Sequence, residues 1–67
     1  MKLSARNQFQ GNVTHVKEGN VMAEVTVKVG NLEFVAAITD GSVKHMGLKP
    51  GDAVTVAVKA TEVMVGK

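Results

Sequence analysis

Cysteine is absent from this sequence of 67 residues, so neither a disulfide nor a thiolate metal site can stabilise the fold. Tryptophan and tyrosine are absent too, and Phe9 and Phe34 are the only aromatic residues. The two histidines, His15 and His45, give no ligand set for structural zinc. A single core in so short a chain supplies only about 3–5 kcal/mol, and a further stabilising feature is usual. Oligomerisation is the feature that these absences leave.

Long hydrophobic runs and blocks of like charge are missing as well. No apolar stretch approaches the ~18–20 residues of a membrane span, and no secretory signal pattern opens the sequence. The net charge is +2, with a pI near 9.2 and no cluster of lysine and arginine. We therefore expect a cytoplasmic protein with one domain over residues 1–67. Its mild positive charge suits a small anion better than a polyanion or a membrane.

What is present is alternation of apolar and polar residues, which predicts strands along most of the chain. The clearest run is residues 21–29, where valine and alanine occupy every second position. In the first strand, Gly11 is the expected bulge or bend. The turns at residues 18–20 and 30–31 contain the glycine and asparagine that tight turns need. The five predicted strands cover residues 4–17, 21–29, 32–39, 53–59 and 63–65.

The period changes between the third and fourth strands. A side-chain oxygen of the segment Asp40-Gly41-Ser42 can cap a short helix, Val43 and Met46 share one face, and Gly47 is placed to end it. Pro50-Gly51 then suits a type II turn. The order of elements predicts an all-β, five-stranded OB-like barrel with a short helix between strands 3 and 4. A five-stranded barrel of the SH3 kind is the alternative.

Two segments near opposite ends of the chain have similar residue types. Residues 3–8 and residues 58–63 each place a cation, Arg6 or Lys59, beside hydroxyl residues and alanine. A tetrahedral dianion has four acceptor oxygens and no donor, so its site needs N–H and O–H donors without nearby carboxylates. We expect Glu62 and Asp40 to point away from such a site. In the alternative reading, Arg6 and Lys59 are solvated charges at strand ends.

These segments, with others at matched spacing, resemble the molbindins, the small molybdate-binding Mop proteins. The resemblance covers essentially the whole chain, which corresponds to the free-standing form of the domain. It is carried by Ser4-Ala5-Arg6-Asn7-Gln8, by Ala36-Ala37-Ile38-Thr39 with Ser42 and Val43, by Gly47-Leu48 with Pro50-Gly51, and by Val58-Lys59-Ala60-Thr61-Glu62-Val63-Met64.

The resemblance implies a homo-hexamer, a trimer of dimers, that holds molybdate or tungstate between subunits. It assigns the main site to residues of the first and last motifs in one subunit and of the central motif in a neighbour. By position these residues are Ser4, Arg6, Lys59 and Ala60, with Thr39 and Ser42 from the neighbour. It also implies a second oxyanion site near the threefold axis, for which the turn Gly19-Asn20-Val21 is a candidate.

Three functional classes can be weighed against these features. Binding, storage or homeostasis of molybdate and tungstate fits the donors and the resemblance, with the oxyanion as ligand and no further cofactor. A molybdopterin is disfavoured because the chain has few aromatics to stack a pterin. An OB-fold module for nucleic acid is the alternative, although it also lacks aromatic platforms. An enzyme is not expected, since no nucleophile with its base and no pair of carboxylates can be identified.

Overall fold

The first strand, β1 (Asn7–Glu18), is the strand around which the sheet is built. A computed structural model describes all residues from 1 to 67. Its four antiparallel strands have the order β3-β2-β1-β4, so β1 has a neighbour on each side. The other strands are β2 (Met22–Val29), β3 (Leu32–Thr39) and β4 (Ala53–Val58). β1 pairs with β4 along its first half and with β2 along its second half.

β1 changes partner next to Gly11, because Asn12 ends the pairing with β4 and begins the pairing with β2. A Cβ atom on Gly11 would lie only 2.5 Å from the carbonyl oxygen of Lys28, so the glycine permits a close approach to β2. The sequence predicts a bulge or a bend at Gly11. The bulge lies instead at Thr14, which pairs with no residue of β2 because the register shifts between Val13 and His15. The pairing with β2 makes Thr14 the extra residue of the bulge. Glycine is required at position 11 for a different reason, the close contact with the Lys28 backbone.

The core lies on one face of the curved sheet. Valine and alanine of β2 point inwards at every second position, which confirms the alternation predicted for this strand. The helix contributes one further side chain from above. The buried apolar residues are Val13, Ala23, Val25, Val27 and Val43. Because only six of the 67 residues are buried, a single chain removes little apolar surface from water.

The helix α1 (Asp40–Met46) follows β3 directly, as the sequence predicts. Its N-cap is Thr39, one residue before the segment expected to cap it, and the Thr39 side chain accepts a hydrogen bond from the Ser42 N–H. Gly47 ends the helix in the left-handed conformation at φ 62°. Val43 faces the core, whereas Met46 is exposed.

The turn before β4 has the predicted geometry. Gly51 has φ 97°, and the Asp52 N–H donates to the Lys49 carbonyl over 3.2 Å, as a type II turn requires. The Gly51 N–H also donates to the Val13 carbonyl over 2.7 Å. This bond holds the turn against β1 beside its bulge.

The predicted fifth strand is wrong for the single chain. After β4 the backbone forms a 3-10 turn (Ala60–Glu62), and residues 63–65 lie outside the sheet with Val65 95% exposed. Alternation of apolar residues favours an extended backbone, but a strand also needs a partner edge, which the chain does not give this segment. The outer edges of β3 and β4 stay unpaired, so the all-β, OB-like barrel is open on that side.

Candidate anion-binding site

The pairing of β1 with β4 brings the two cationic segments together. Asn7, at the start of β1, lies opposite Val58, at the end of β4. The Asn7 side-chain amide also donates to the Val58 carbonyl over 3.2 Å. The residues just before β1 and just after β4 therefore adjoin, although more than 50 positions separate them in the sequence.

A groove of about 630 Å³ lies where these segments meet. Its lining combines two cations, two hydroxyl side chains and three alanines, with no carboxylate. The lining residues are Ser4, Ala5, Arg6, Ala57, Lys59, Ala60 and Thr61. Small walls and hydrogen-bond donors are the composition that an oxyanion needs.

Arg6 and Lys59 have no carboxylate within 4 Å, and the chain's single ion pair is elsewhere, between Lys49 and Asp52 at 3.4 Å. Glu62 is absent from the groove lining, as expected. Asp40 lies beside Thr39 and Ser42 at the start of α1, so the expectation that it points away from a site shared with a neighbour stays a prediction. The groove therefore has two positive charges that no charge of the same chain compensates.

The backbone on both sides of the groove is held by local hydrogen bonds. The Gln8 side chain donates to the carbonyls of Leu3 and Ala5, which fixes the segment containing Ser4. On the other side, the Glu62 N–H donates to the Lys59 carbonyl over 2.9 Å. The Ala60 N–H, at the start of this 3-10 turn, has no partner inside the turn.

Thr39 and Ser42 lie at the start of α1 and do not line the groove. Their hydroxyl oxygens are 2.8 Å apart, and Thr39 Oγ1 also accepts from the Ser42 N–H over 3.0 Å. One chain thus brings together four of the six predicted site residues. The assignment of Thr39 and Ser42 to a neighbouring subunit stays a prediction.

The turn proposed for a second site has different surroundings. The Gly19 N–H already donates to the Met22 carbonyl, and the Val21 carbonyl accepts from the Asp40 N–H. A groove of about 210 Å³ beside Gly19 is lined by two carboxylates, Glu18 and Glu24, against one cation, Lys17, so its charged groups are mainly repulsive to an anion. The groove with Arg6 and Lys59 is therefore the stronger candidate.

Sequence reasoning missed Thr61 and the two alanines, Ala5 and Ala57, as groove residues. Thr61 lies two positions after Lys59 in the last motif, and this proximity to Lys59 is the sequence feature that could have identified it. Ala57 could be found only from the pairing of β4 with β1, since its side chain has no chemistry of its own to mark it. No three His, Cys, Asp or Glu side chains come together in the chain as a metal site.

Comparisons with known proteins agree on one family. A model for the TOBE domain matches residues 3–65. "Molybdenum-pterin-binding protein 2" of Clostridium pasteurianum is 41% identical over 97% of each chain. A molybdate-binding protein from Sporomusa ovata has a solved structure that covers both chains fully, at 46% identity and a TM-score of 0.95. The cytoplasmic molybdate-binding protein ModG, solved with molybdate bound, is 38% identical over 90% of this chain and 43% of its own, with a TM-score of 0.84.

These likenesses bear on the fold as well as on the family. The full-length match to the Sporomusa ovata structure confirms the predicted OB-like class over the SH3-like alternative. The helix α1 has seven residues, and no helix of the chain has the length and apolar character needed to cross a bilayer.

Proposed function

The chain belongs to the TOBE-domain family, among the molbindin or Mop proteins, and from this membership we propose that it binds molybdate or tungstate for intracellular storage or homeostasis. The observation that carries the proposal is the groove in which Arg6 and Lys59 lie together without a carboxylate. The names of the solved relatives support molybdate as the ligand, whereas the name of the Clostridium pasteurianum relative specifies molybdenum-pterin.

The chemistry of the groove suits a tetrahedral dianion. Arg6 and Lys59 supply positive charge, while the Ser4 hydroxyl and the Ala60 amide supply neutral donors. Each charge-assisted hydrogen bond contributes roughly 1.5–3 kcal/mol, so several of them can offset the loss of the dianion's hydration. No resident cofactor is part of this proposal. A binding role also agrees with the family, whose domain binds a ligand and is not defined by catalysis.

We further propose that the site is completed by a second copy of the chain. Ser4, Arg6 and Lys59 are exposed, so a ligand held by them alone would keep much of its surface in water. Thr39 and Ser42 of a neighbour would add donors and exclude water, in the homo-hexamer, a trimer of dimers, that the resemblance implies. The exposed large apolar residues of the single chain, such as Leu32, Val63 and Val65, support such an assembly.

Molybdenum-pterin and nucleic acid are the other ligands to consider. Both call for exposed aromatic rings on which a flat ring can stack. Phe9 and Phe34 are half-buried and pack on each other, with ring centroids 5.1 Å apart. The bare oxyanion therefore fits the chain better than either of these ligands.

Elemental analysis with calorimetric titration tests the proposal. Protein purified from cells grown with molybdate should carry molybdenum in a fixed ratio to the chain, and ligand-free protein should bind added molybdate with micromolar or tighter affinity. A gel shift with single-stranded oligonucleotides should show no complex. Protein without molybdenum that also gives no heat with molybdate would contradict the proposal, and a stable nucleic-acid complex would favour the alternative.

A further inference from the structure

Thr61 lines the groove beside Lys59, and neither the motifs nor the resemblance gives it a role. Its hydroxyl is exposed and makes no hydrogen bond within the chain. The Thr61 hydroxyl can therefore contact a ligand without breaking a hydrogen bond within the chain.

Two other threonine hydroxyls already make side-chain hydrogen bonds. Thr39 Oγ1 is bonded to Ser42 Oγ over 2.8 Å, and Thr55 Oγ1 accepts from the Gln10 side chain over 3.0 Å. Neither of these threonines lines the groove. Within one chain, Ser4 and Thr61 are the two hydroxyl residues that line it together with Arg6 and Lys59.

We propose that Thr61 is a further ligand-binding residue, whose hydroxyl donates to an oxygen of a tetrahedral oxyanion held in this groove. The inference rests on the proposed function. The four oxygens of the ligand all accept hydrogen bonds. Arg6, Lys59 and Ser4 line the same groove as Thr61, so all four side chains face the space that one anion would occupy. A hydroxyl that donates to a dianion makes a charge-assisted bond, which is stronger than a bond between neutral groups.

Calorimetric titration of the full chain with sodium molybdate tests this role through three variants. Thr61→Val keeps the shape of the side chain and removes the hydroxyl, so it should weaken molybdate binding by about tenfold or more. Thr61→Ser keeps the hydroxyl and should bind within about threefold of wild type. Thr55→Val is the matched control, because its hydroxyl lies outside the groove, and it should bind molybdate as the wild type does.

Thermal melting without molybdate checks the fold of these variants. Because the Thr61 side chain is exposed and unbonded, Thr61→Val should melt at the wild-type temperature. Wild-type affinity in Thr61→Val, together with loss of binding in Arg6→Ala, would overturn the role of Thr61 and leave the proposed function intact. Equal losses in Thr61→Ser and Thr61→Val would also overturn it. A wild-type chain that does not bind molybdate would overturn both proposals.

Discussion

Arg6 and Lys59 are the residues on which the proposed function depends most. The chain has a single ion pair, between Lys49 and Asp52 at 3.4 Å. Arg6 and Lys59 share a groove with each other instead, and no carboxylate of the chain lies within 4 Å of either. This arrangement disfavours the alternative in which they tie strand ends to neighbouring acidic residues.

Substitution of either cation by alanine distinguishes a role in ligand binding from a role in stability. Arg6→Ala or Lys59→Ala should weaken molybdate binding by roughly 2–5 kcal/mol, the range for losing one partner of a charge pair that is buried, as this one would be in the proposed assembly. Without molybdate, each variant should melt at the wild-type temperature or slightly above it, because the substitution removes repulsion between like charges of the empty site. The rise in melting temperature that molybdate gives the wild type by mass action should be mostly lost. Thermal melts with and without molybdate measure both effects.

The opposite pattern would support a structural role for the two cations. In that case the variants without ligand would melt at a lower temperature, and the shift caused by molybdate would remain. Lys49→Ala is the matched control. It removes an exposed cation outside the groove, so it should leave the molybdate-dependent shift unchanged.

The family resemblance assigned four of the residues that line the candidate site, and the strand pairing explains why they meet. Ser4, Arg6, Lys59 and Ala60 flank the ends of β1 and β4, and antiparallel pairing of those strands is enough to bring them together. Thr61 was missed because a hydroxyl near a cation is common in sequences and only the groove distinguishes this one. The place of Thr39 and Ser42 depends on a second copy of the chain, which no pattern within one chain can position.

At the scale of elements, the bend of β1 depends on two different features. Thr14 is the extra residue of the bulge, and Gly11 allows the strand to pass close to the backbone of β2. A bulge bends its strand and increases the local twist, which helps the sheet to wrap around the core. The glycine alone could be seen in the sequence, so the bulge was predicted there.

Substitution of Gly11 tests the close approach. Gly11→Ala places a Cβ within 2.5 Å of the Lys28 carbonyl oxygen and 2.7 Å of a Val29 methyl carbon, so the strands must separate. The free energy of unfolding should fall by about 1–3 kcal/mol, as in other overpacked sites. Urea denaturation followed by circular dichroism gives this value.

Gly41→Ala is the matched control for the same substitution. Gly41 lies inside α1, and the nearest atom to its added Cβ, Thr39 Oγ1, is 3.9 Å away. Alanine favours a helix over glycine by about 0.5–1 kcal/mol, so this variant should be more stable than wild type. If Gly11→Ala were as stable as wild type, the close contact would not be what requires glycine there.

Local sequence patterns predicted the strands and the helix better than they predicted where these elements end. The alternation predicted β2, β3 and β4 within about one residue at each end, because burial on one face imposes period two. The helix cap was misplaced by one residue, since Thr39, Asp40 and Ser42 are all residue types that cap helices. The segment 63–65 has a strand pattern but no partner within the chain, and sequence cannot reveal a missing partner.

At the scale of the whole molecule, the single chain leaves much of its apolar surface exposed to water. Five apolar residues form its buried core, whereas Leu32, Val35 and Val65 are 57%, 62% and 95% exposed. An apolar groove of about 240 Å³ follows the open side of the barrel. Such surfaces are stabilised by burial against another protein surface, which supports the proposed hexamer. The same association would enclose the groove that contains Arg6 and Lys59.

Native mass spectrometry of the assembly, with and without molybdate, tests oxyanion binding by an oligomer most directly, because one spectrum reports both subunit number and bound ligand. The wild type should appear at about six times the subunit mass of 7.0 kDa, with molybdate adducts in a fixed number. Lys59→Ala should keep the hexamer and lose most of the adducts. A wild-type monomer, or a hexamer that carries no molybdate at saturating ligand, would contradict the account.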